Sequence, residues 1–357
     1  MSERAHLRIR HLRRLTDRTG LLRGGPLGEP DHFAGYDTLD NGLGLRLAAR
    51  LFQHGVHDDA SAWASIYLQF LVQAFRGNAA LSVHREPLGT WSQDVLAPHE
   101  LAQIARAVAV ASASGLPSAS TRRADALWRN LLPDLTTIRC PRAAAHWLIA
   151  IAERPPSEQR RLESIADRLA SWMVEECYYA LRTSDWEWFD ERWLPGDPCL
   201  PHGLWAAYSV LGEQRYARVA ETTTCFLVEN LFEDGLLVPV GTRGGWPRHC
   251  GKVVFDQIPA DVAATVELLA CACDASGRED FADHARLAHA WFTGSNVKGI
   301  TMLDDTTEGV YDALTATGHA TGQGARAVAS FLLSAVAMRD THVARRPVDA
   351  GAMARVP

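Results

Sequence analysis

The stretch Phe255-Asp256-Gln257-Ile258-Pro259-Ala260-Asp261 runs straight into Val262–Cys273 (VAATVELLACAC), and its reading decides the fold. It puts two carboxylates and an amide where a loop becomes a helix, and that helix is apolar except for Glu267. Pro259 suits a first helical turn, where its missing N–H would have no partner anyway, and an anion at Asp261 complements the helix dipole. Asp261 therefore reads equally as a helix-start anion and as a reactive acid. Upstream, Gly241-Thr-Arg-Gly-Gly-Trp-Pro-Arg248 is a stiff, glycine-broken loop able to hold a ligand against backbone. A polar mouth feeding a buried helix is how all-helical catalytic domains often present acid and base residues.

The same helical periodicity extends in both directions. It predicts helices over Leu43–Phe52, Ala60–Ala74, Leu101–Ala113, Thr121–Leu132, Ala143–Ala152, Ser157–Tyr179, Leu200–Leu211, Gln214–Leu231, Ala260–Cys273, Glu279–Trp291 and Gly322–Ala337. With one more around His6–Thr16 the total is about twelve. Glycine and proline clusters such as Gly115-Leu-Pro117, Pro155-Pro156 and Pro195-Gly-Asp-Pro198 separate them. Gly235-Leu-Leu-Val-Pro-Val240 is the best strand signal, a small hairpin arm. Such a succession predicts an all-α toroid of helical hairpins, with apolar inner helices and a central cleft lined by loops at one end. An α-solenoid would need a repeat period, and none is visible. Residues 1–340 read as one domain and 341–357 as a loosely ordered tail.

Composition narrows the function classes. The chain has 357 residues, 47% hydrophobic and 22% charged, with a formal net charge of −6. That is an ordinary globular balance, without the basic footprint of a nucleic-acid partner. The basic run Arg8-Ile-Arg-His-Leu-Arg-Arg14 lacks the apolar stretch of a secretory signal, and no apolar run is long enough for a bilayer. Seven cysteines, an odd number, read as reduced thiols of a cytoplasmic protein without membrane association. Fourteen histidines include no His-Glu-x-x-His array, and no Cys-x-x-Cys pair occurs, so neither a metal nor another cofactor is expected.

Several loop motifs, in order, resemble a bacterial family of helical-toroid proteins related to glycosidases. Members often carry glycosyltransferase labels and occur fused or adjacent to glycosyltransferases. The matching segments are His11-Leu-Arg-Arg-Leu-Thr-Asp17-Arg-Thr-Gly20, Gly35-Tyr36-Asp-Thr-Leu-Asp40-Asn41 and Asp185-Trp186-Glu187-Trp188-Phe189-Asp190-Glu191. They continue through Leu200-Pro201, Gly244-Gly245-Trp246, the Phe255–Asp261 block, Trp291-Phe-Thr-Gly294-Ser-Asn296, Gly309-Val-Tyr311-Asp312 and Gln323-Gly324-Ala325. The resemblance implies an (α/α)6 toroid, a small-molecule or oligosaccharide substrate, and a glycosyltransferase as a partner. Departures fall inside the motifs. Leu39-Asp40 stands where the family pairs two aspartates, Leu43 where it has arginine, and Arg326 where it has glutamate. Arg326 could neutralise a carboxylate, bind an anionic group or point into solvent.

Inverting glycoside hydrolysis needs one protonated carboxyl and one carboxylate flanking the bond. Asp256, beside the apolar Phe255, is the expected acid, Asp312 the opposing base, and Asp261 a further catalytic or positioning carboxyl. Asp40, Asn41, Asp185, Glu187, Gln257, Tyr311, Gln323 and Arg326 are expected to contact substrate. Trp186, Trp188 and Trp246 would stack on sugar rings or, equally, form an aromatic plug between hairpins. The sequence thus points to an inverting, glycoside hydrolase-like enzyme. The alternatives are a toroid turned to acid-assisted cyclisation or rearrangement in a biosynthetic pathway, and a non-catalytic sugar-binding partner of a glycosyltransferase.

Overall fold

The computed structural model describes residues 9–25, 28–132 and 134–340. The predicted tail at 341–357 and the start of the first helix lie outside them. Within them are twelve α-helices: α1 (Arg10–Leu15), α2 (Thr38–Gln53), α3 (Ala60–Ala74), α4 (Pro98–Ala113), α5 (Ser118–Leu131), α6 (Pro141–Ala152), α7 (Pro156–Trp172), α8 (Cys199–Leu211), α9 (Gln214–Leu231), α10 (Pro259–Ser276), α11 (Glu279–Ala290) and α12 (Ala325–Asp340). The even-numbered helices pack neighbour to neighbour, and α12 returns to α2, so they form a closed inner ring. The odd-numbered helices pack outside them, α3 on α2, α5 on α4, α7 on α6, α9 on α8, α11 on α10 and α1 on α12. The molecule is an all-α toroid.

Composition explains which helices go inside. α10, apolar apart from three widely spaced acids, suits a helix buried on both faces, whereas α5 and α7 carry charges on one side and suit the outer layer. Small residues let inner helices approach closely: a Cβ on Gly203 of α8 would sit 2.6 Å from the Ala145 Cα of α6.

Each outer helix returns the chain, so all inner helices start at the same end. Five of the loops entering them are long (16–37, 75–97, 173–198, 232–258, 291–324) and the one into α6 is shorter (132–140), while those leaving them are shorter still (54–59, 114–117, 153–155, 212–213, 277–278). The described strands are two or three residues long and lie in the long loops, pairing Tyr36–Asp37 with His84–Arg85 and Arg192–Trp193 with Trp246–Pro247. The hairpin read over Gly235–Val240 is smaller than its sequence signal, pairing Phe232–Glu233 with Leu236–Leu237. The helix read over Ser157–Tyr179 ends as an α-helix at Trp172 and continues as a π-helix over Met173–Tyr179. No described helix is long and apolar enough to cross a membrane.

Candidate active site on the toroid axis

A cavity of about 270 Å³ opens at the long-loop end and runs down the axis. Its lining divides into two levels because every inner helix enters from the same side. At the mouth stand side chains from the first turns: Glu100 on α4, Arg142 on α6, Asp261 on α10 and Arg326 on α12. Deeper lie Arg46 on α2, Arg106 on α4, His146 on α6, His202 on α8 and Glu267 on α10. Asp261 and Glu267 are six residues apart on one helix, so mouth and floor are separated by about 9 Å along its axis.

The floor is an ion cluster. Arg46 donates to both Glu267 oxygens, Nη1 to Oε2 at 2.9 Å and Nη2 to Oε1 at 2.8 Å. Arg106 Nη1 approaches Oε2 at 2.7 Å. Burial alone would raise the Glu267 carboxyl, but Arg106 and Arg46 outweigh it and hold the group well below the carboxylate range. A second cavity of about 390 Å³ lies on the far side, and Arg46, Arg106, His202 and Glu267 line both. The cluster is a septum across the bore of the toroid.

Two histidines face this cluster. Burial, reinforced by Arg106 and Arg46, keeps His146 far below its ordinary value. Burial and Arg106 likewise depress His202 to about 3, Glu267 opposing only in part. Both imidazoles are therefore neutral, and Nδ1 of His146 has no hydrogen-bond partner.

At the mouth, Asp261 accepts from the Gly196 N–H at 2.7 Å through Oδ1, while Oδ2 has no partner. Burial raises this carboxyl to about 7, the Gly196 hydrogen bond opposing. Arg142 pairs through Nε with Asp197 at 2.6 Å, and Asp197 accepts from the Leu194 N–H at 2.8 Å. The Pro195–Pro198 loop is thus tied down by carboxylates on both sides. Arg326 Nε donates to Asp40 at 2.8 Å, and its Nη2 lies 3.4 Å from Asp37. Of the three roles the sequence left open for Arg326, neutralising a carboxylate is the one observed.

The other residues singled out in the sequence are spread over the loop face. Asp261, Arg326 and, just behind the wall, Asp40 gather at the cavity mouth. Asp256 and Asp312 do not line the cavity. Asp256 lies 3.2 Å from Arg243 in its own loop, and Asp312 accepts from the Gly324 N–H at 2.7 Å, holding the turn into α12. Asn41 clasps backbone, accepting from the Leu21 N–H at 2.8 Å and donating to the Asp37 carbonyl at 2.8 Å. Gln257 is fully buried and accepts from the Trp291 indole at 2.7 Å. Gln323 donates to Asp304 at 2.8 Å, and Tyr311 stacks on His319 at 3.6 Å. Asp185 and Glu187 line a separate surface depression. Trp186 and Trp188 are buried, with Trp188 stacked on Trp193 at 3.7 Å and Trp246 edge-on to Trp186 at 5.1 Å. Trp186 and Trp188 are thereby enclosed among aromatic rings, while Trp246 stays partly exposed at their edge.

None of the floor residues is among the site residues expected from the sequence, although the sequence carries a signal for three of them. Arg46 in Leu45-Arg-Leu47, Arg106 in Ala105-Arg-Ala107 and Glu267 are isolated charges on apolar helices. A lone charge in such a setting requires a buried partner.

No protein-family model matches the chain, and no curated protein matches its sequence. Its architecture does match. A sugar epimerase from a ruminal bacterium superposes with a TM-score of 0.71 at 14% identity, over 95% of this chain and 99% of that one. The cellobiose 2-epimerase of Bacillus thermoamylovorans gives 0.70 at 14% identity, over 93% and 98%. An α-1,6-mannanase from Salegentibacter gives 0.64 at 10% identity, over 94% and 98%. The fold is an (α/α)6 toroid, as in these structures. At such identities the likeness concerns architecture alone.

Proposed function

We propose that this protein is a carbohydrate-transforming enzyme that works by proton transfer next to a sugar carbonyl, as an isomerase or epimerase, in the axial cavity. The observation that carries the reading is the pairing of neutral imidazoles at His146 and His202 with a protonatable carboxyl at Asp261 inside one small cavity. A neutral imidazole has a lone pair for a carbon-bound proton, although the burial and guanidiniums that keep both rings neutral also weaken them as bases. A carboxyl titrating near neutrality can donate to the carbonyl oxygen as negative charge develops there. Glu267 is neutralised by two guanidiniums and is neither acid nor base. The epimerases among the structures of like architecture support the same class.

The test is incubation with a panel of aldoses and ketoses in deuterated water, followed by NMR. Deuterium entering the carbon beside the carbonyl, lost in His146→Asn or His202→Asn, supports the reading. Release of reducing sugar from glycosides without exchange overturns it. That outcome would favour the second reading, an inverting glycoside hydrolase, which the unpartnered Oδ2 and raised titration of Asp261 favour as a leaving-group acid. A glycosyltransferase partner, implied by the loop motifs, belongs with either reading and is tested by co-purification with such an enzyme.

A further inference from the structure

On the floor of the axial cavity two guanidiniums share one carboxylate. Four arginines line the cavity: Arg46, Arg106, Arg142 and Arg326. Arg142 is matched by Asp197, and Arg326 by Asp40 and Asp37. Arg46 and Arg106 share the single carboxylate of Glu267. Of the other acids nearby, Glu153 is paired with Arg50 at 2.7 Å, Asp274 lines the far cavity beside them, and Glu100 and Asp261 stand at the mouth. Both floor guanidiniums are almost enclosed, with side-chain exposures of 11% and 12%. Two such cations meet on one carboxylate in a medium that screens charge poorly.

The two arginines are also used differently. Arg46 has both terminal nitrogens on Glu267. Arg106 meets Glu267 through Nη1 alone, with no hydrogen bond from its Nη2 among the described residues, while the Nε of both arginines is buried without a partner. A guanidinium with one arm held and the other open presents a fixed donor to whatever occupies the cavity. The reaction proposed above does not use the spare arm, because Asp261 serves the carbonyl oxygen from the mouth.

We infer that the substrate is a monosaccharide bearing an oxyanion, a carboxylate or a phosphate, and that this group meets Arg106 on the cavity floor. The inference rests on the carbohydrate reading and adds the substrate class to it. A volume of about 270 Å³ suits one sugar ring rather than an oligosaccharide. Bidentate recognition of carboxylate or phosphate is the use to which arginine geometry is best fitted. The anion would seat the sugar with its other end toward Asp261.

The experiment is calorimetric titration of the full chain with D-glucuronate, glucose phosphate and D-glucose, each at low and high salt. At least one acidic sugar should bind about tenfold more tightly than glucose, the size of one charge-assisted hydrogen bond. Added salt should erode that margin, and inorganic phosphate should compete with the acidic sugar. Whichever acidic sugar prevails identifies the oxyanion. Arg106→Gln should bring acidic and neutral sugars to equal affinity, and Arg106→Lys should restore part of the difference. If Arg106→Gln does not fold, salt dependence and phosphate competition on the unaltered protein decide the matter. Glucose binding as tightly as both acidic sugars overturns this inference and leaves the proposed reaction standing. Tight acidic-sugar binding without deuterium exchange upholds the anion site and removes the reaction class. Binding of none of the three overturns both.

Discussion

Arg326 donates through Nε to Asp40 at 2.8 Å across 286 residues of sequence, joining the first turn of α12 to the first turn of α2. The contact closes the inner ring where its last helix meets its first, at the mouth of the cavity. Asp40 is buried, which raises its carboxyl to about 6, and Arg326 opposes that rise. Here an electrostatic pair supplies what a continuous chain supplies elsewhere in the ring.

Removing the cation should expose the cost of that burial. Arg326→Gln is expected to destabilise the fold by about 1–2 kcal/mol at about pH 8, less than for a fully buried pair because Arg326 is half exposed. The loss should shrink toward about pH 5, where Asp40 can be neutral in the folded chain. Urea denaturation at the two pH values checks this, and equal losses would count against the pairing.

The septum should be more sensitive. Glu267→Gln leaves two enclosed guanidiniums facing each other, with an expected cost of roughly 3–5 kcal/mol. Thermal or chemical denaturation measures it. A loss under about 1 kcal/mol, typical of an exposed ion pair, would mean that water reaches the cluster.

Asp261 links stability and activity through one titration. Its folded carboxyl, at about 7, lies above the unfolded value near 4, so the folded chain holds the extra proton between them. Its stabilising contribution is therefore complete below about pH 4 and is lost as pH rises through about 7. Asp261→Asn should lower turnover by about 10²–10⁴-fold and abolish an alkaline limb near neutrality in the rate profile. Asp312→Asn, at a residue that holds the turn into α12, should change turnover by no more than about tenfold, well short of the loss of an acid–base group. A larger effect at Asp312 than at Asp261 would return the chemistry to the loop carboxylates.

His202 acts in the opposite sense. Its folded value, about 3, lies below the unfolded value near 6.5, so the unfolded chain takes up the proton first. The contribution of the neutral ring is present above about pH 6.5 and is lost as pH falls toward 3. His202→Gln should therefore flatten the acid limb of a stability–pH curve measured by denaturant titration. An unchanged limb would place the acid sensitivity elsewhere.

Gly203 tests how tightly the inner ring is packed. An added Cβ would press on the Ala145 backbone at 2.6 Å, so Gly203→Ala should cost about 1–3 kcal/mol despite the better helix propensity of alanine. A melting temperature at or above the parent value would show that α6 and α8 can separate without loss.

The sequence by itself determined the helices and their closure into a toroid. Runs such as Ala60–Ala74 and Gln214–Leu231 carry their boundaries locally, in apolar spacing and in the glycines and prolines between them. It also marked Asp261 and Arg326, which do stand at the cavity mouth, because each begins a helix behind a turn-rich loop. What only the tertiary structure decided is which side chains share the axis. Arg46, Arg106, His146, His202 and Glu267 come from five helices and meet on the axis because every inner helix enters from one end. Arg46, Arg106 and Glu267 lie at the same depth along theirs, whereas His146 and His202 lie nearer the starts of α6 and α8. Asp256, Asp312, Gln257 and the Trp186–Trp188 pair carried the stronger local motifs, yet their side chains hold loops together. A motif records which residues lie in a loop, whereas burial and the direction of a side chain depend on the helices packed around it.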